Sequence, residues 1–119
     1  MLFKAKTNGK KYINIDTPLT LNEYQERMSD TAIYKWPVIY SSLGLANEAG
    51  EVLGKVKKII RDGTFNREDI ADELGDVLWY AAALARDLNV DLSNIAQRNL
   101  DKLASRQERG TLKGSGDKR

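Results

Sequence analysis

Four carboxylates in two matched pairs carry the chemistry that this sequence offers. Glu48 and Glu51 lie within Leu45–Leu53, and Glu73 and Asp76 lie within Ile70–Leu78. These two nine-residue stretches share five identical positions and three exchanges of like for like. At about 100° per residue, Glu48 and Glu51 fall roughly 60° and 120° to one side of a stripe formed by Leu45, Ala49, Val52, Val56 and Ile59. Glu73 and Asp76 fall at the same two angles from a stripe of Ile70, Leu74, Val77, Ala81, Leu84 and Leu88. Equal phases predict that packing stripe on stripe brings the four acids to one seam. A single pair at this spacing is an ordinary solvated helix position, but a duplicated pair in matched phase reads as a metal site. Four ionised carboxylates in one place repel each other, and a divalent cation relieves that repulsion. Hard, oxygen-preferring Mg²⁺, with Mn²⁺ as a substitute, suits an all-carboxylate donor set.

Composition narrows the chemistry further. The chain has neither histidine nor cysteine. That excludes the commonest general base, a thiolate nucleophile, a disulfide framework and a cysteine-based zinc site. Catalysis must therefore use carboxylates, lysines, tyrosines or water activated by a metal. The net charge of +2 comes from interleaved acids and bases and does not argue for a nucleic-acid partner. The excess of bases lies at the ends, in Lys4, Lys6, Lys10 and Lys11 and in Lys113, Lys118 and Arg119. No apolar run has the length of a membrane span, and the first residues lack a secretory signal, so a cytoplasmic location is expected.

The elements that must position the acids are helices. In 119 residues, 41% of them hydrophobic, we expect one domain with a real core. Residues 1–19 are polar and turn-rich, with a turn at Asn8-Gly9 and a short strand or extended arm at Tyr12–Ile15. Thr20 with Glu23 predicts a capping box and a first helix running to about Tyr34, where Trp36-Pro37 interrupts. The second helix is expected from about Val38 to Arg61, stopping at Asp62-Gly63. The third is expected from an Asn66 cap to about Leu88. The fourth runs from Asp91 or Ser93 to Arg109, and Gly110 ends it. Residues 111–119 read as a flexible tail. The fold class is all-α, a four-helix bundle with a helical core over 20–110.

Other side chains fall into place around the acids. Asn99, Lys102 and Arg106 share a face of the fourth helix beside its apolar side, where cations can reach phosphate oxygens or simply complement the helix dipole. Lys55 stands one turn after Glu51 and either pairs with it or joins the site. Tyr24, Tyr34, Trp36, Trp79 and Tyr80 could stack on a base or fill the core. Gly50 and Gly75, at equivalent mid-helix places, either permit a close approach by another helix or subunit or reflect shared ancestry of the two halves without a present role.

This ordered set resembles the MazG-like nucleoside triphosphate pyrophosphohydrolases, above all their short single-domain phage and bacterial members. The resemblance rests on Glu48-x-x-Glu51, a gap of 21 residues and then Glu73-x-x-Asp76, supported by Leu45–Val52, Glu73–Tyr80, Asn99–Leu103 and Gly114–Asp117. It covers residues from about Asn22 to the end of the sequence. It implies a Mg²⁺-dependent enzyme of the all-α NTP pyrophosphatase fold, active as a homodimer or homotetramer, that cleaves an NTP or dNTP to a monophosphate and pyrophosphate. By match of motif, Glu48, Glu51, Glu73 and Asp76 bind metal. Glu48 or Glu51 also takes a proton from the attacking water. Lys102 and Arg106 hold phosphates, with Lys55 and Asn99 as further substrate contacts. Deoxynucleotides such as dGTP or dCTP are the expected substrates. Two alternatives stay open: a helical module that binds nucleotides with metal but does not cleave them, and a helical interaction module.

Overall fold

The structure, a computed structural model, describes residues 2–7, 11–14 and 18–119. Two strands, β1 (Leu2–Thr7) and β2 (Lys11–Asn14), pair antiparallel with Phe3 opposite Ile13. The expected arm is thus a hairpin, and its Asn8-Gly9 turn and Ile15 lie outside the described residues. Four helices follow: α1 (Leu21–Met28), α2 (Ile39–Asp62), α3 (Arg67–Asp87) and α4 (Leu92–Glu108). The all-α class read from the sequence holds.

Local chemistry explains most of the helix ends. Thr20 Oγ1 accepts from the Glu23 N–H at 3.1 Å and opens α1. Asn66 Oδ1 accepts from the N–H groups of Glu68 and Asp69 and opens α3, with both acids in the first turn where the dipole favours them. Gly63 closes α2 at φ 70°, a left-handed conformation that glycine adopts without strain. The start of α4 is capped from a distance. Gln25 accepts from the Leu92 N–H at 2.8 Å and donates to the Val90 carbonyl, while Asn22 accepts from the Ser93 N–H.

One helix is shorter than its sequence suggested. α1 stops at Met28 instead of reaching Tyr34, and Ser29–Thr31 tighten into a 3₁₀ turn. Ser29 and Thr31 donate their hydroxyls to the carbonyls of Glu26 and Met28, so side chains compete with the helix for its own acceptors.

The pairs Ser41–Asp87, Gly44–Tyr80 and Lys55–Glu73 step in opposite directions along α2 and α3, so the two helices are antiparallel. Theirs is the largest contact between helices. The buried core gathers at one end of this hairpin, where Ala82, Ala83 and Ala85 of α3 meet Met28 and Leu92, with Tyr24, Tyr34 and Trp79 packed around them. Small alanines let the helices close there. At the other end the stripe residues Leu45, Val52, Ile59, Ile70 and Val77 are only half-buried, and Leu53, Ile60 and Leu74 are exposed.

Residues 111–119 form no helix or strand and turn back along α4. Thr111 N–H donates to the Arg106 carbonyl at 2.8 Å, and Arg106 Nη2 donates to the Asp117 carbonyl at 2.6 Å. No helix among the described residues is long and apolar enough to cross a membrane.

Candidate active site

Because α2 and α3 are antiparallel and pack stripe to stripe, the acids on their shoulders converge. Carboxylate oxygens of Glu48, Glu73 and Asp76 lie within 4.8 Å of one another. Glu48 and Glu73 are half-buried, and Asp76 is exposed. The cluster stores electrostatic strain. Burial, followed by the charges of Asp76, Glu73 and Glu51, raises the Glu48 pKa above the ordinary carboxylate value. Glu51 is exposed and outside the trio, though near enough for its charge to act on Glu48.

One cation partly offsets these charges. Lys55 Nζ reaches across the hairpin to Glu73 Oε1 at 3.5 Å. It pairs with the facing helix rather than along its own, because the helix-to-helix seam brings Glu73 to it. Three oxygens this close, drawn from two rigid helices and short of positive charge, form a donor set that suits a divalent cation.

An aromatic cavity lies one turn of α3 beyond Asp76, where Tyr80 lines it. It has a volume of about 310 Å³ and is lined by Thr31, Ile33, Tyr34, Lys35, Trp36, Tyr40, Trp79 and Tyr80. Tyr34 stacks on Tyr40 with ring centroids 5.0 Å apart, and Trp79 meets Tyr80 edge to face at 4.9 Å. Trp79 Nε1 donates to Thr31 Oγ1 at 2.9 Å, which fixes the indole. Tyr80 joins the two parts of the site. Its pKa is raised by burial first, then by Tyr40, Glu48 and Asp76, so its hydroxyl end feels the acids while its ring borders the cavity. Tyr24 faces the acids from α1: burial and the charge of Asp76 raise its pKa as well. Of the aromatics singled out in the sequence, Tyr34, Trp36, Trp79 and Tyr80 line the cavity, and Tyr24 packs on the core.

The α4 residues sit apart from the trio. Asn99 and Lys102 line a second cavity with Ile95 and Arg98. Lys102 Nζ and Arg106 Nη2 both reach Asp117 Oδ1 at 3.4 Å. Arg106 is only 4% exposed, and its Nε has no hydrogen-bond partner. The two cations read as phosphate ligands therefore converge on an oxyanion, here a carboxylate from the chain's own last residues. A methyl group added at Gly50 or Gly75 would meet no other part of the described residues within 4 Å, apart from its own helix and chain neighbours.

Residues 41–111 match the family model described as the MazG nucleotide pyrophosphohydrolase domain. The chain belongs to the MazG family. The matched span runs from α2 to just past α4 and holds all four acids together with Lys55, Asn99, Lys102 and Arg106. The family's activity is nucleotide pyrophosphohydrolysis, which the acid trio suits. The chain is also similar to the Gene 37 protein of Mycobacterium phage L5, at 50% identity over 109 residues, covering 81% of this chain and 96% of that protein. No solved structure gives a significant match.

Three residues of the site escaped the sequence reading. Gly44 leaves room for the Tyr80 ring, and Ser41 and Asp87 tie α2 to the end of α3. The bonds of Ser41 and Asp87 are long-range, and no periodicity signals them. The glycine at position 44, inside an otherwise helical pattern, was the one available hint.

Proposed function

We propose that the chain is a Mg²⁺-dependent nucleoside triphosphate pyrophosphohydrolase that cleaves a dNTP, with dGTP and dCTP as the first candidates, to a dNMP and pyrophosphate. The observation that carries this reading is the carboxylate trio of Glu48, Glu73 and Asp76, with Tyr80 one turn after Asp76 lining a cavity walled by aromatic rings. Such a cavity accepts a planar base by stacking, while the acids stand where the phosphates of the same molecule would lie. A divalent ion, when bound, neutralises phosphate charge and makes water acidic enough to attack phosphorus near neutral pH.

In this reading Glu48, Glu73 and Asp76 hold the ion, with Glu51 as a fourth acid at the rim. Glu51 is exposed and outside the trio, so it is the carboxylate best placed to take the proton from the attacking water. Lys55, paired with Glu73 here, would be available to a substrate phosphate once a bound cation shared the charge of Glu73. The motif match assigns Asn99, Lys102 and Arg106 to phosphate oxygens, although within one chain they stand apart from the trio and Lys102 and Arg106 hold Asp117. Tyr80 and Trp79 form one wall of the base site.

The active unit is a homodimer or homotetramer acting in the cytoplasm, the host's if the chain is phage-borne. Exposed Leu53, Ile60 and Leu74 on the α2–α3 hairpin, at 69%, 83% and 59% exposure, support an assembly that covers them.

The test is a pair of variants. Glu48→Gln abolishes Mg²⁺-dependent turnover and the stabilisation by Mg²⁺, with an unchanged circular dichroism spectrum. Glu51→Gln loses turnover but retains Mg²⁺ stabilisation. Wild-type activity in Glu48→Gln sinks the assignment.

A further inference from the structure

Asp87, the last residue of α3, holds the far wall of the aromatic cavity through one oxygen atom. Its Oδ2 accepts the Tyr34 hydroxyl at 2.7 Å, the Val38 N–H at 2.8 Å and the Ser41 hydroxyl at 2.7 Å. The stretch gripped in this way is strained. Trp36 and Val38 have φ of 58° and 69°, and for a β-branched valine that region is a genuine outlier. Backbone in such a state persists only where its surroundings over-determine it, and it clusters at ligand clamps. Here the surroundings are the three bonds to Asp87, one of them to the strained Val38 itself.

What the stretch carries makes the arrangement functional. It presents Tyr34 and Trp36 to the cavity, and it starts the helix that presents Tyr40. Trp79 and Tyr80, which stand on α3 about two turns before Asp87, pack on these rings, with Tyr34–Trp79 and Tyr40–Tyr80 centroids each 6.3 Å apart. Ser41 is fully buried, and its hydroxyl donates to the carboxylate.

We propose that Asp87 is a positioning residue for base recognition: by fixing Tyr34, Trp36 and Tyr40 against Trp79 and Tyr80 it sets the shape of the aromatic cavity on which a nucleobase stacks. This rests on the reading of the cavity as the base site. Asp87 touches no substrate. It acts on which base fits and how tightly, and leaves the phosphate chemistry to the acids.

The experiment is calorimetric titration, in Mg²⁺, of the full chain with α,β-methylene deoxynucleoside triphosphates of the four bases and with inorganic tripolyphosphate as a probe without a base. Loss of the charge-assisted bonds in Asp87→Asn raises Kd for the best-bound nucleotide about tenfold and flattens the ranking of the bases. The tripolyphosphate Kd stays at the wild-type value. With a hydrolysable nucleotide KM rises and kcat at saturation is held. Ser41→Ala shifts the nucleotide Kd the same way by a smaller factor, and it decides the matter if Asp87→Asn fails to fold. Equal weakening toward both probes, or unchanged nucleotide affinity in the folded variants, overturns the proposal. If wild type binds with a base preference but releases no product, the enzyme reading fails and this one stands. If wild type turns over and the variants keep its KM, the reverse holds.

Discussion

The ring of Tyr80 on α3 lies against the bare backbone of Gly44 on α2, where a methyl group at position 44 would stand 2.0 Å from Tyr80 Cε1. This contact sets the position of a ring that borders both the acids and the aromatic cavity. Gly44→Ala therefore pushes the ring away. Overpacking costs about 1–3 kcal/mol, and better helix propensity returns roughly 1 kcal/mol of that. A net fall in melting temperature and a rise in KM for the nucleotide are expected. Gly50→Ala has no such neighbour and raises the melting temperature. A fall there instead marks close approach by a second copy.

Removing Lys55 tests the charge balance of the trio. The ion pair with Glu73 is partly exposed, so Lys55→Met destabilises the metal-free protein modestly, by up to about 1 kcal/mol. Added Mg²⁺ substitutes for the lost cation, and the gap between variant and wild type narrows. Melting curves with and without Mg²⁺ read this directly. A gap that Mg²⁺ leaves unchanged would place the ion elsewhere.

The pH dependence has two parts. Glu48 has a raised pKa, so without metal this group binds more protons in the folded than in the unfolded state as it titrates. Its contribution to stability then falls as pH rises from the ordinary glutamate value through the raised one. Mg²⁺ reverses that slope, because binding requires the ionised acids. Denaturant melts of wild type and Glu48→Gln across the acid range isolate this contribution: the stability of wild type relative to the variant falls with rising pH in chelator and rises with it in Mg²⁺.

Tyr34 and Asp87 bound the other end of the scale. Burial and the bond to Asp87 push the Tyr34 pKa from 10.0 up to about 12. Its contribution is complete below about pH 10 and is lost as pH rises toward 12. Burial alone would raise the Asp87 pKa. The bonds from Val38, Ser41 and Tyr34, with Arg86 nearby, outweigh burial and lower it, so its contribution is lost as pH falls through that lowered value. Tyr34→Phe shrinks the alkaline limb, leaving the shares of Tyr24 and Tyr80, and a limb unchanged in that variant contradicts the assignment.

Lys102 and Arg106 should separate by phenotype. Arg106 is buried, and its Nη2 bonds to the Asp117 carbonyl, so Arg106→Ala lowers melting temperature and activity together. Lys102 is more open, and Lys102→Ala raises KM with little change in melting temperature. Steady-state kinetics beside thermal melts check both.

What was legible in the sequence was whatever is settled within a turn or two of helix. Thr20, Asn66 and Gly63 end their helices through bonds to near neighbours, and residue type alone betrays them. Helical phase brought Glu48, Glu73 and Asp76 to one face, and packing on the facing stripe completed the trio. Phase does not decide which way a side chain swings, and Glu51 stands outside. Nor does it show partners on another helix, so Lys55 finds Glu73 and not the nearer acid of its own helix. The ties from Asp87 to Tyr34, Val38 and Ser41 span 53, 49 and 46 residues and exist only once α2 and α3 are packed. The early end of α1 was a local effect too, but hydroxyl competition at Ser29 and Thr31 ran against an otherwise helical pattern.

The central claim is that this acid trio serves α–β cleavage of a nucleoside triphosphate. Its most direct test resolves the products after incubation with the four NTPs and four dNTPs in Mg²⁺. Nucleoside monophosphate and pyrophosphate in equal amounts, absent with chelator and absent with Glu48→Gln, is the predicted result. Nucleoside diphosphate with inorganic phosphate, or no product from any nucleotide, contradicts it.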